Sequence, residues 1–480
     1  MAYDLLFQDA LLVDGSGAAP AAGDLAVEAG RIARIAPAGA IPAAAARRAI
    51  PCAGLALAPG FIDTHTHDDR AVLDDPAMRC KISQGVTTVV VGNCGISLAP
   101  LALAAAPPPP LNLLGGRAAF AFPRFADYAA GLAAARPAVN VAALVGHGSL
   151  RVGALADITR PASEAERAVM RARLAASLEQ GAIGFSTGLY YPINAPADAD
   201  EVADLAGLLP AHDGVYATHM RDESVGVLAS LEESFATARR ARVPVVISHH
   251  KCAQPENWGR SVETLPVIER ASATQEVGLD AYPYHAGSTV LDPRHVRPDV
   301  RVRLTWSEPY PELAGRELAA IAADWNLPLA AAAERLLPAG AIYFQMDEAD
   351  VRRILAFPLT MIGSDGLPHD AHPHPRLWGT FARVLGHYSR DLGLFPLAEA
   401  VRKMTSLPAA RFRLAGRGLL REAYHADLVL FDPARVRDRA TYDQPRQEAE
   451  GIARVMVNGA LAWPEREAGA RAGILLRRGG

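Results

Sequence analysis

Two histidines separated by one residue are the first chemical feature of the chain. His65 and His67 follow a short apolar run at residues 60–64. Because alternate residues of an extended strand point to the same side, both imidazoles are expected to project together. Two imidazoles with this spacing are suited to chelate a zinc ion.

Other short apolar runs also end in side chains that can bind a metal. In chain order these side chains are Cys94, His219, His249 and Asp365. A single residue of these types after a strand ordinarily fills the core, caps a helix or makes a hydrogen bond. Six such residues at the ends of five runs are improbable as coincidence, so the sequence predicts one metal centre. The neighbouring His250 points to the other side of its strand, which favours His249 as the ligand.

The runs that carry these residues belong to a larger set that alternates with long helical stretches. They cover residues 60–64, 86–91, 141–145, 182–186, 215–219, 244–249, 278–282 and 359–364. Continuous apolarity is typical of parallel strands that are buried on both faces. Eight strand–helix units predict an α/β protein with a (β/α)₈ TIM-like barrel, which places its chemistry at the carboxyl ends of the strands.

The two ends of the chain predict a separate small β unit. Short strands with glycine turns occupy residues 1–57, and further strands with an Asn458-Gly459 hairpin signal occupy residues 416–480. We expect these ends to pair into one β-sandwich, with the barrel at residues 58–415 between them. The long segment between the last two barrel strands predicts an insertion after the seventh strand, at about residues 287–342, that covers the barrel mouth.

Composition excludes several classes of protein. The chain has 480 residues, 50% of them hydrophobic, and a net charge of −4, which does not resemble the basic footprint of a nucleic-acid binder. We expect no membrane span and no signal peptide, because neither pattern occurs in the sequence. The cysteines are too few for a disulfide framework, which favours a reducing cytoplasm and leaves a small-molecule substrate as the expected partner. They are Cys52, Cys80, Cys94 and Cys252.

Several segments carry a family resemblance, and they span nearly the whole chain. They begin at Gly60 (GFIDTHTHD), Gly85 (GVTTVVVGNCG), Gly181 (GAIGFSTGLYYP), Tyr216 (YATHMRDE), Ile247 (ISHHK), Asp280 (DAYPYHAGST) and Ile362 (IGSDG). Together they resemble the amidohydrolase superfamily, and within it the N-acyl-D-amino-acid deacylases, or D-aminoacylases, including the N-acyl-D-glutamate deacylase branch. The most specific match is Asn93-Cys94-Gly95.

The resemblance implies how zinc is held. Many members of the superfamily bridge two metals with a carboxylated lysine on the fourth strand. Here that strand ends in Phe185-Ser-Thr-Gly188, without a lysine, and the resemblance puts Cys94 in its place. The tighter zinc position is implied at Cys94, His219 and His249. A second, weaker position is implied at His65, His67 and Asp365.

The resemblance also implies an amide hydrolase for N-acyl-D-amino acids. We expect Asp365 to take a proton from water and to return it to the leaving nitrogen, and we expect Asp63 to orient a ligand histidine. The α-carboxylate of the substrate needs cationic or hydroxyl groups. The candidates are Lys251, Tyr191, Tyr282, Ser288 and Arg376.

A dense cationic stretch bears on the choice of amino acid. Between residues 294 and 303 the chain has four arginines and a histidine. They either balance Asp292 and Asp299 in a solvated loop, or one of them, Arg294 first, reaches the pocket and pairs with a side-chain carboxylate. The second interpretation favours N-acyl-D-glutamate, then N-acyl-D-aspartate, over apolar substrates.

Two other functions compete with this one. A cyclic-amide hydrolase of the hydantoinase or dihydroorotase type is disfavoured by the absent lysine and by Cys94. A catalytically inactive barrel that serves as a scaffold is disfavoured because every expected ligand position is filled.

Overall fold

The computed structural model describes residues 3–464 and 471–478. Residues 1–2, 465–470 and 479–480 of the predicted terminal β unit lie outside the described residues. The strands are β1 (Tyr3–Leu12), β2 (Ala21–Glu28), β3 (Arg31–Pro37), β4 (Ala46–Pro51), β5 (Ala56–Pro59), β6 (Phe61–Asp63), β7 (Val86–Val91), β8 (Leu101–Ala102), β9 (Ala121–Phe122), β10 (Asn140–Gly146), β11 (Gly184–Gly188), β12 (Val215–His219), β13 (Val245–Ile247), β14 (Val277–Ala281), β15 (Gly287–Val290), β16 (Arg301–Ser307), β17 (Ala339–Phe344), β18 (Thr360–Ile362), β19 (Leu428–Phe431), β20 (Ile452–Val457) and β21 (Ala460–Trp463).

Helices follow most of the central strands. They are α1 (Ala71–Asp74), α2 (Arg79–Ile82), α3 (Phe125–Ala135), α4 (His147–Ala154), α5 (Glu164–Glu179), α6 (Ala199–Ala206), α7 (Val227–Ala241), α8 (Ser261–Ser272), α9 (Leu318–Asp324), α10 (Leu329–Leu336), α11 (Glu348–Ala356), α12 (Arg376–Arg383), α13 (Leu397–Met404) and α14 (Ser406–Arg411). Within the described residues, no helix is both long and apolar enough to cross a bilayer.

The central sheet confirms the predicted (β/α)₈ barrel. Eight parallel strands follow one another in the order β6, β7, β10, β11, β12, β13, β14 and β18. The last strand closes onto the first, since the Thr64 N–H donates to the Ile362 carbonyl at 3.4 Å. All six residues of β7 are buried, as expected for a Val- and Thr-rich strand with helices outside and packed side chains inside.

The ends of the chain pair with each other through β5 and β19, which are antiparallel. They form one mixed sheet of eight strands in which β1 pairs with β4 by its first half and with β5 by its second. A bulge in β1 between these halves includes Asp9 at φ 56°. One apolar cluster contains residues from both ends, among them Phe7, Leu57 and Met456, so the sheet encloses a shared core.

The segment after β14 forms a compact insertion. Strands β15, β17 and β16 make an antiparallel sheet in that order. Helices α9 and α10 pack on this sheet around an apolar cluster of their own, which includes Leu304, Ile321 and Leu336. The first residues of β15 reach the mouth of the barrel, where Ser288 and Thr289 line the cavity described below.

Candidate metal centre

The side chains predicted as metal ligands lie at the carboxyl ends of barrel strands, and all are buried. Cys94 Sγ lies 3.2 Å from His65 Nε2 and 3.3 Å from His249 Nε2. Asp365 Oδ1 lies 3.6 Å from the same nitrogen, His65 Nε2, and 3.2 Å from His67 Nε2. The structure therefore brings these five residues into one continuous cluster with His65 in the middle.

His219, at the end of β12, extends the cluster. Its ring meets the His249 ring edge-on, with 4.4 Å between the centroids. Neither ring nitrogen of His219 has a conventional hydrogen bond, although both are buried, and the nearest carboxylate oxygen, of Glu223, is 3.6 Å away. A buried imidazole without a partner is costly. This donor set of a thiol, imidazoles and carboxylates, with orphaned ring nitrogens, fits a zinc ion.

The backbone is strained at three positions of the cluster. Cys94, His249 and Asp365 have φ values of 54°, 33° and 49°, in the left-handed region that non-glycine residues seldom adopt. The turn at Cys94 also needs a glycine beside it, because a Cβ on Gly188 would lie 2.1 Å from the Cys94 carbonyl oxygen. Such strain persists only where the surrounding structure enforces it, and it is concentrated at functional sites.

Electrostatics favour the ionised forms that bind metals. Burial raises the pKa of the Cys94 thiol, but His65 and His249 outweigh this effect and hold that pKa well below its ordinary value. A thiolate is the form of cysteine that binds a metal. Burial likewise opposes ionisation of Asp365, yet Arg376 and His67 hold the pKa of this carboxyl well below its usual range.

Glu223 joins the centre, although the sequence analysis did not single it out. Its carboxylate lies 3.0 Å from His249 Nδ1 and 2.7 and 2.8 Å from Lys251 Nζ. Burial disfavours its charge, but Lys251, His219 and His249 keep the pKa of Glu223 well below normal. The available signal was a carboxylate four residues after His219, at a strand end that already carries a metal-competent side chain.

Asp280, on β14, was also missed. Its Oδ1 lies 3.3 Å from His65 Nδ1 and accepts a hydrogen bond from the backbone N–H of His249 at 2.8 Å. Asp63 is expected to orient a ligand histidine, and its Oδ1 accepts the backbone N–H of His65 at 3.4 Å rather than contacting a histidine ring. Its carboxylate binds Lys81 Nζ at 2.8 Å and the backbone N–H of Ser364 at 2.7 Å. The strand β6 ends at Asp63, so the alternation of side chains does not extend from it to His65.

A cavity of about 280 Å³ opens onto the centre. Of the predicted substrate contacts, it is lined by Lys251, Tyr191, Tyr282, Ser288 and Arg294. The Ser288 hydroxyl is buried without a hydrogen-bond partner, so it is free to bind a ligand. The Tyr191 hydroxyl lies 3.0 Å from Thr289 Oγ1, and the Lys251 ammonium already has Glu223 as its counter-ion.

Arg376 is not a surface arginine. It is the first residue of α12 and is fully buried, with its Nη1 2.9 Å from Asp365 Oδ2. A second guanidinium nitrogen donates to the Ser288 carbonyl at 3.0 Å, and the guanidinium carbon lies 4.5 Å from the centre of the Tyr282 ring. Arg376 therefore contacts two of the other predicted substrate-binding residues as well as Asp365.

Arg294 lines the cavity, but its exposure and its ion pair differ from what the sequence predicts. A buried, unpaired arginine had been envisaged, but the Arg294 side chain is 71% exposed and pairs with Asp292 at 2.6 Å. Arg297 also lines the cavity, and it pairs with Asp299 at 2.8 Å and with Glu256 at 2.7 Å. Both cations lie at the solvent side, where carboxylates of the same loop are within reach.

Comparison with known proteins gives the family. The model of the amidohydrolase family matches residues 48–291 and 267–462, which together cover most of the chain. The chain belongs to the amidohydrolase family. This membership agrees with the barrel and with the cluster of metal-competent residues at the carboxyl ends of its strands.

Three curated relatives from Alcaligenes xylosoxydans xylosoxydans align over nearly the full length of this amidohydrolase. A D-aminoacylase is 54% identical over 99% of this chain and 98% of its own. An N-acyl-D-aspartate deacylase is 50% identical over 99% of this chain and 95% of its own. An N-acyl-D-glutamate deacylase is 47% identical over 99% of this chain and 96% of its own.

Solved structures of similar proteins contain metals. A D-aminoacylase with 53% identity and a TM-score of 0.96, covering 99% of this chain and 100% of its own, has a binuclear metal centre with one-metal activation and second-metal attenuation. An N-acyl-D-glutamate deacylase from Bordetella bronchiseptica, with 48% identity, a TM-score of 0.96 and the same coverage, holds zinc and a phosphonate that mimics the tetrahedral intermediate.

Proposed function

We propose that this amidohydrolase cleaves the amide bond of N-acyl-D-amino acids at a zinc centre, releasing a carboxylate and a free D-amino acid. The observation that carries the proposal is the grouping of Cys94 with His65 and His249 directly beside Asp365. The relatives named D-aminoacylase, N-acyl-D-aspartate deacylase and N-acyl-D-glutamate deacylase support the substrate class.

The two proposed zinc positions lie next to each other in the cluster. Cys94, His219 and His249 would hold the tighter zinc, and His65, His67 and Asp365 would hold a second, weaker one. When bound, zinc supplies a Lewis acid that polarises the carbonyl and lowers the pKa of water. Glu223 would hold the His249 ring with its Nε2 toward Cys94, since the carboxylate lies on the Nδ1 side of that ring.

Asp365 is the proposed acid–base residue. Its Oδ1 faces His65 and His67, and its Oδ2 binds Arg376, so the carboxylate is held from both sides. In the reaction it would accept a proton from the attacking water and donate that proton to the leaving nitrogen. The proton would thus reach the amine as the C–N bond breaks, which avoids an unstable amide anion as leaving group.

The α-carboxylate of the substrate is proposed to bind at the wall formed by Lys251, Tyr282 and Ser288. Arg376 was a candidate for this role, but it does not line the cavity and instead is buried in contact with Tyr282 and Ser288. Lys251 and Arg376 each lie near the Tyr282 ring, at 5.9 Å and 4.5 Å from its centroid. Two cations with two carboxylate partners, Glu223 and Asp365, leave this wall electrically balanced before substrate binds. The unpaired Ser288 hydroxyl adds a neutral donor.

We propose that the side chain of the substrate's amino acid carries a carboxylate, and that glutamate is preferred over aspartate. Arg294 and Arg297 both line the mouth of the cavity, and each could exchange a loop carboxylate for one of the substrate. An apolar side chain is the alternative. It is favoured by a second cavity of about 470 Å³, which shares Tyr190, Tyr343 and Arg294 with the first and is lined beyond them mainly by apolar residues such as Leu291, Leu337 and Pro338.

A cytoplasmic location is also proposed. The four cysteines, all within the described residues, are buried and free of disulfides, which suits a reducing compartment.

One assay tests the proposed activity. The zinc-loaded enzyme is incubated with the N-acetyl derivatives of D- and L-glutamate, D- and L-aspartate and D- and L-leucine, and amine release is measured. We expect hydrolysis of the D-derivatives, with D-glutamate fastest by kcat/KM. Faster hydrolysis of the L-derivatives would contradict the stereochemistry, and no hydrolysis of any of them would contradict the activity.

A further inference from the structure

A lysine without contact to the cavity is buried beside the proposed second zinc position. Lys81 lies on α2, and its side chain has no exposed surface. Its Nζ lies 2.8 Å from Asp63 Oδ2, 2.8 Å from Ser364 Oγ and 3.2 Å from Asp68 Oδ2. The contacts with Asp63 and Ser364 are hydrogen bonds, and the contact with Asp68 is an ion pair.

The partners of Lys81 belong to the two chain segments that carry the second position. Asp63 and Asp68 stand on either side of the histidine pair after β6, and Ser364 directly precedes Asp365 after β18. These segments come from the first and last strands of the barrel, which meet where the barrel closes. One ammonium therefore connects both halves of the second position.

Further hydrogen bonds tie the same two segments. Asp63 Oδ1 accepts the Ser364 N–H at 2.7 Å, and the Asp365 N–H donates to the His65 carbonyl at 2.7 Å. The Ser364 hydroxyl, which faces Lys81, also accepts the Gly366 N–H at 3.2 Å. These bonds flank Asp365 on both sides and hold it in its strained left-handed conformation.

The charge of Lys81 is what allows this arrangement. Asp63 and Asp68 are both fully buried, and two like charges in a low-dielectric interior repel each other strongly. Burial opposes the charge of the lysine itself, yet the two carboxylates hold the pKa of Lys81 above its ordinary value. Without the cation, the two carboxylates would repel each other, and the segments that bear them would move apart.

We infer that Lys81 is a positioning residue that fixes the separation of the β6 and β18 ends and thereby sets the affinity of the second zinc position. The inference rests on the proposed function for the assignment of zinc to His65, His67 and Asp365. Lys81 itself contacts none of the proposed ligands and does not line the cavity, and it acts through Asp63, Asp68 and Ser364.

The test is zinc binding by Lys81→Met. The apparent affinity of each zinc equivalent is measured by equilibrium dialysis against buffered zinc, followed by elemental analysis. We expect the first equivalent to stay bound and the affinity for the second to fall about 10-fold or more, as for other residues that orient ligands. A folded Lys81→Met protein that binds both equivalents as wild type does would overturn the inference.

Lys403→Met is the matched control. Lys403 is also fully buried, on α13, but its ammonium donates to the carbonyls of Phe357 and Thr360 and contacts no metal-competent residue of the centre. Both zinc affinities should be unchanged in this variant. If Lys81→Met does not fold, Ser364→Ala decides by the same criterion, since it removes one acceptor of the ammonium without leaving a buried charge.

Hydrogen exchange separates this inference from the proposed function. In Lys81→Met, amides at residues 61–69 and 363–367 should exchange at least about 10-fold faster than in wild type, because their shared anchor is lost. This result does not depend on any substrate. If wild type binds no second zinc, the proposed second zinc position is wrong, but hydrogen exchange still shows whether Lys81 holds the two segments in place. Hydrogen exchange in Lys81→Met that equals that of wild type would overturn the role of Lys81.

Discussion

His65 Nε2 and Cys94 Sγ lie 3.2 Å apart, although the residues follow different barrel strands and are implied by the family resemblance in different zinc positions. The same ring nitrogen lies 3.6 Å from Asp365 Oδ1. The two proposed positions are therefore adjacent to each other.

Cys94→Ala should lose the tightly bound zinc and most of the activity, because the variant removes the thiolate that lies between His65 and His249. Zinc content by elemental analysis and kcat with N-acetyl-D-glutamate are the measurements. Cys52→Ala is the control, since Cys52 is also buried but lies in the terminal β unit, and it should keep both. A full equivalent of zinc in Cys94→Ala would refute the ligand assignment.

Asp365→Asn should lower kcat by at least about 10²-fold, the range found for general acid–base groups. The amide keeps the shape of the carboxylate but cannot accept the proton of the attacking water. Steady-state kinetics at saturating substrate give the value. Asp370→Asn serves as the control, because Asp370 is a buried carboxyl on the same loop outside the cluster. Near-normal turnover of Asp365→Asn would move the proton transfer to another residue.

Arg294→Met should reduce the preference for N-acetyl-D-glutamate over N-acetyl-D-leucine by roughly 10-fold, the value of one hydrogen bond to a charged group. The ratio of kcat/KM for the two substrates is the measurement, and Arg297→Met is tested beside it. Arg316→Met is the control, because Arg316 pairs with Asp324 on the insertion and does not line the cavity. A wild-type preference for leucine would end the proposal of an acidic side chain.

Glu201→Gln should destabilise the fold through a buried ion pair away from the metal centre. Glu201 lies 2.8 Å from His147 Nε2 and 2.5 Å from Arg151 Nη1, with all three side chains fully buried. Loss of the carboxylate leaves the Arg151 charge uncompensated, at a cost of about 3–5 kcal/mol in the free energy of unfolding at pH 7. Urea denaturation of wild type and variant measures this change in the free energy of unfolding. Glu164→Gln, which removes an exposed partner of Arg171, should change the free energy of unfolding far less.

The same pair predicts a pH dependence. Burial opposes the charge of Glu201, but His147 and Arg151 lower the pKa of this carboxyl to about 2. The pKa of Glu201 in the folded protein is below its unfolded value of about 4.3. The carboxylate therefore contributes fully to the free energy of unfolding above about pH 4.3, and this contribution is lost as pH falls toward about 2. The difference in free energy of unfolding between wild type and Glu201→Gln should therefore become smaller below about pH 4. A difference that does not change with pH would contradict the role of the Glu201 charge.

The barrel could be predicted because its strands are continuous apolar runs, and the metal-competent residues could be predicted because they follow those runs directly. The pairing of the chain ends was also within reach, since both ends show short alternating strands. These features depend on local pattern and on the rule that parallel strands direct their carboxyl ends to one rim.

Contacts that depend on side-chain direction beyond the strand ends could not be predicted. Asp280 orients His65 across the barrel, and Lys81 binds Asp63 from a short helix that carries no chemical motif. Glu223 reaches His249 from a loop after another strand. In each case the partners are distant in sequence, and only the closed barrel determines which carboxylate meets which cation.

The insertion after β14 packs around its own apolar cluster, and polar contacts such as Arg297 with Glu256 and the His372 N–H with the Thr305 carbonyl connect it to the rest of the chain. Substitutions in α9 or α10 that preserve this cluster can therefore accumulate without disturbing the proposed zinc ligands. The insertion, which carries part of the cavity wall, and the barrel, which carries the proposed zinc ligands, can then diversify at different rates. An engineer could exchange this segment between deacylases to redirect their specificity while the catalytic barrel is inherited unchanged.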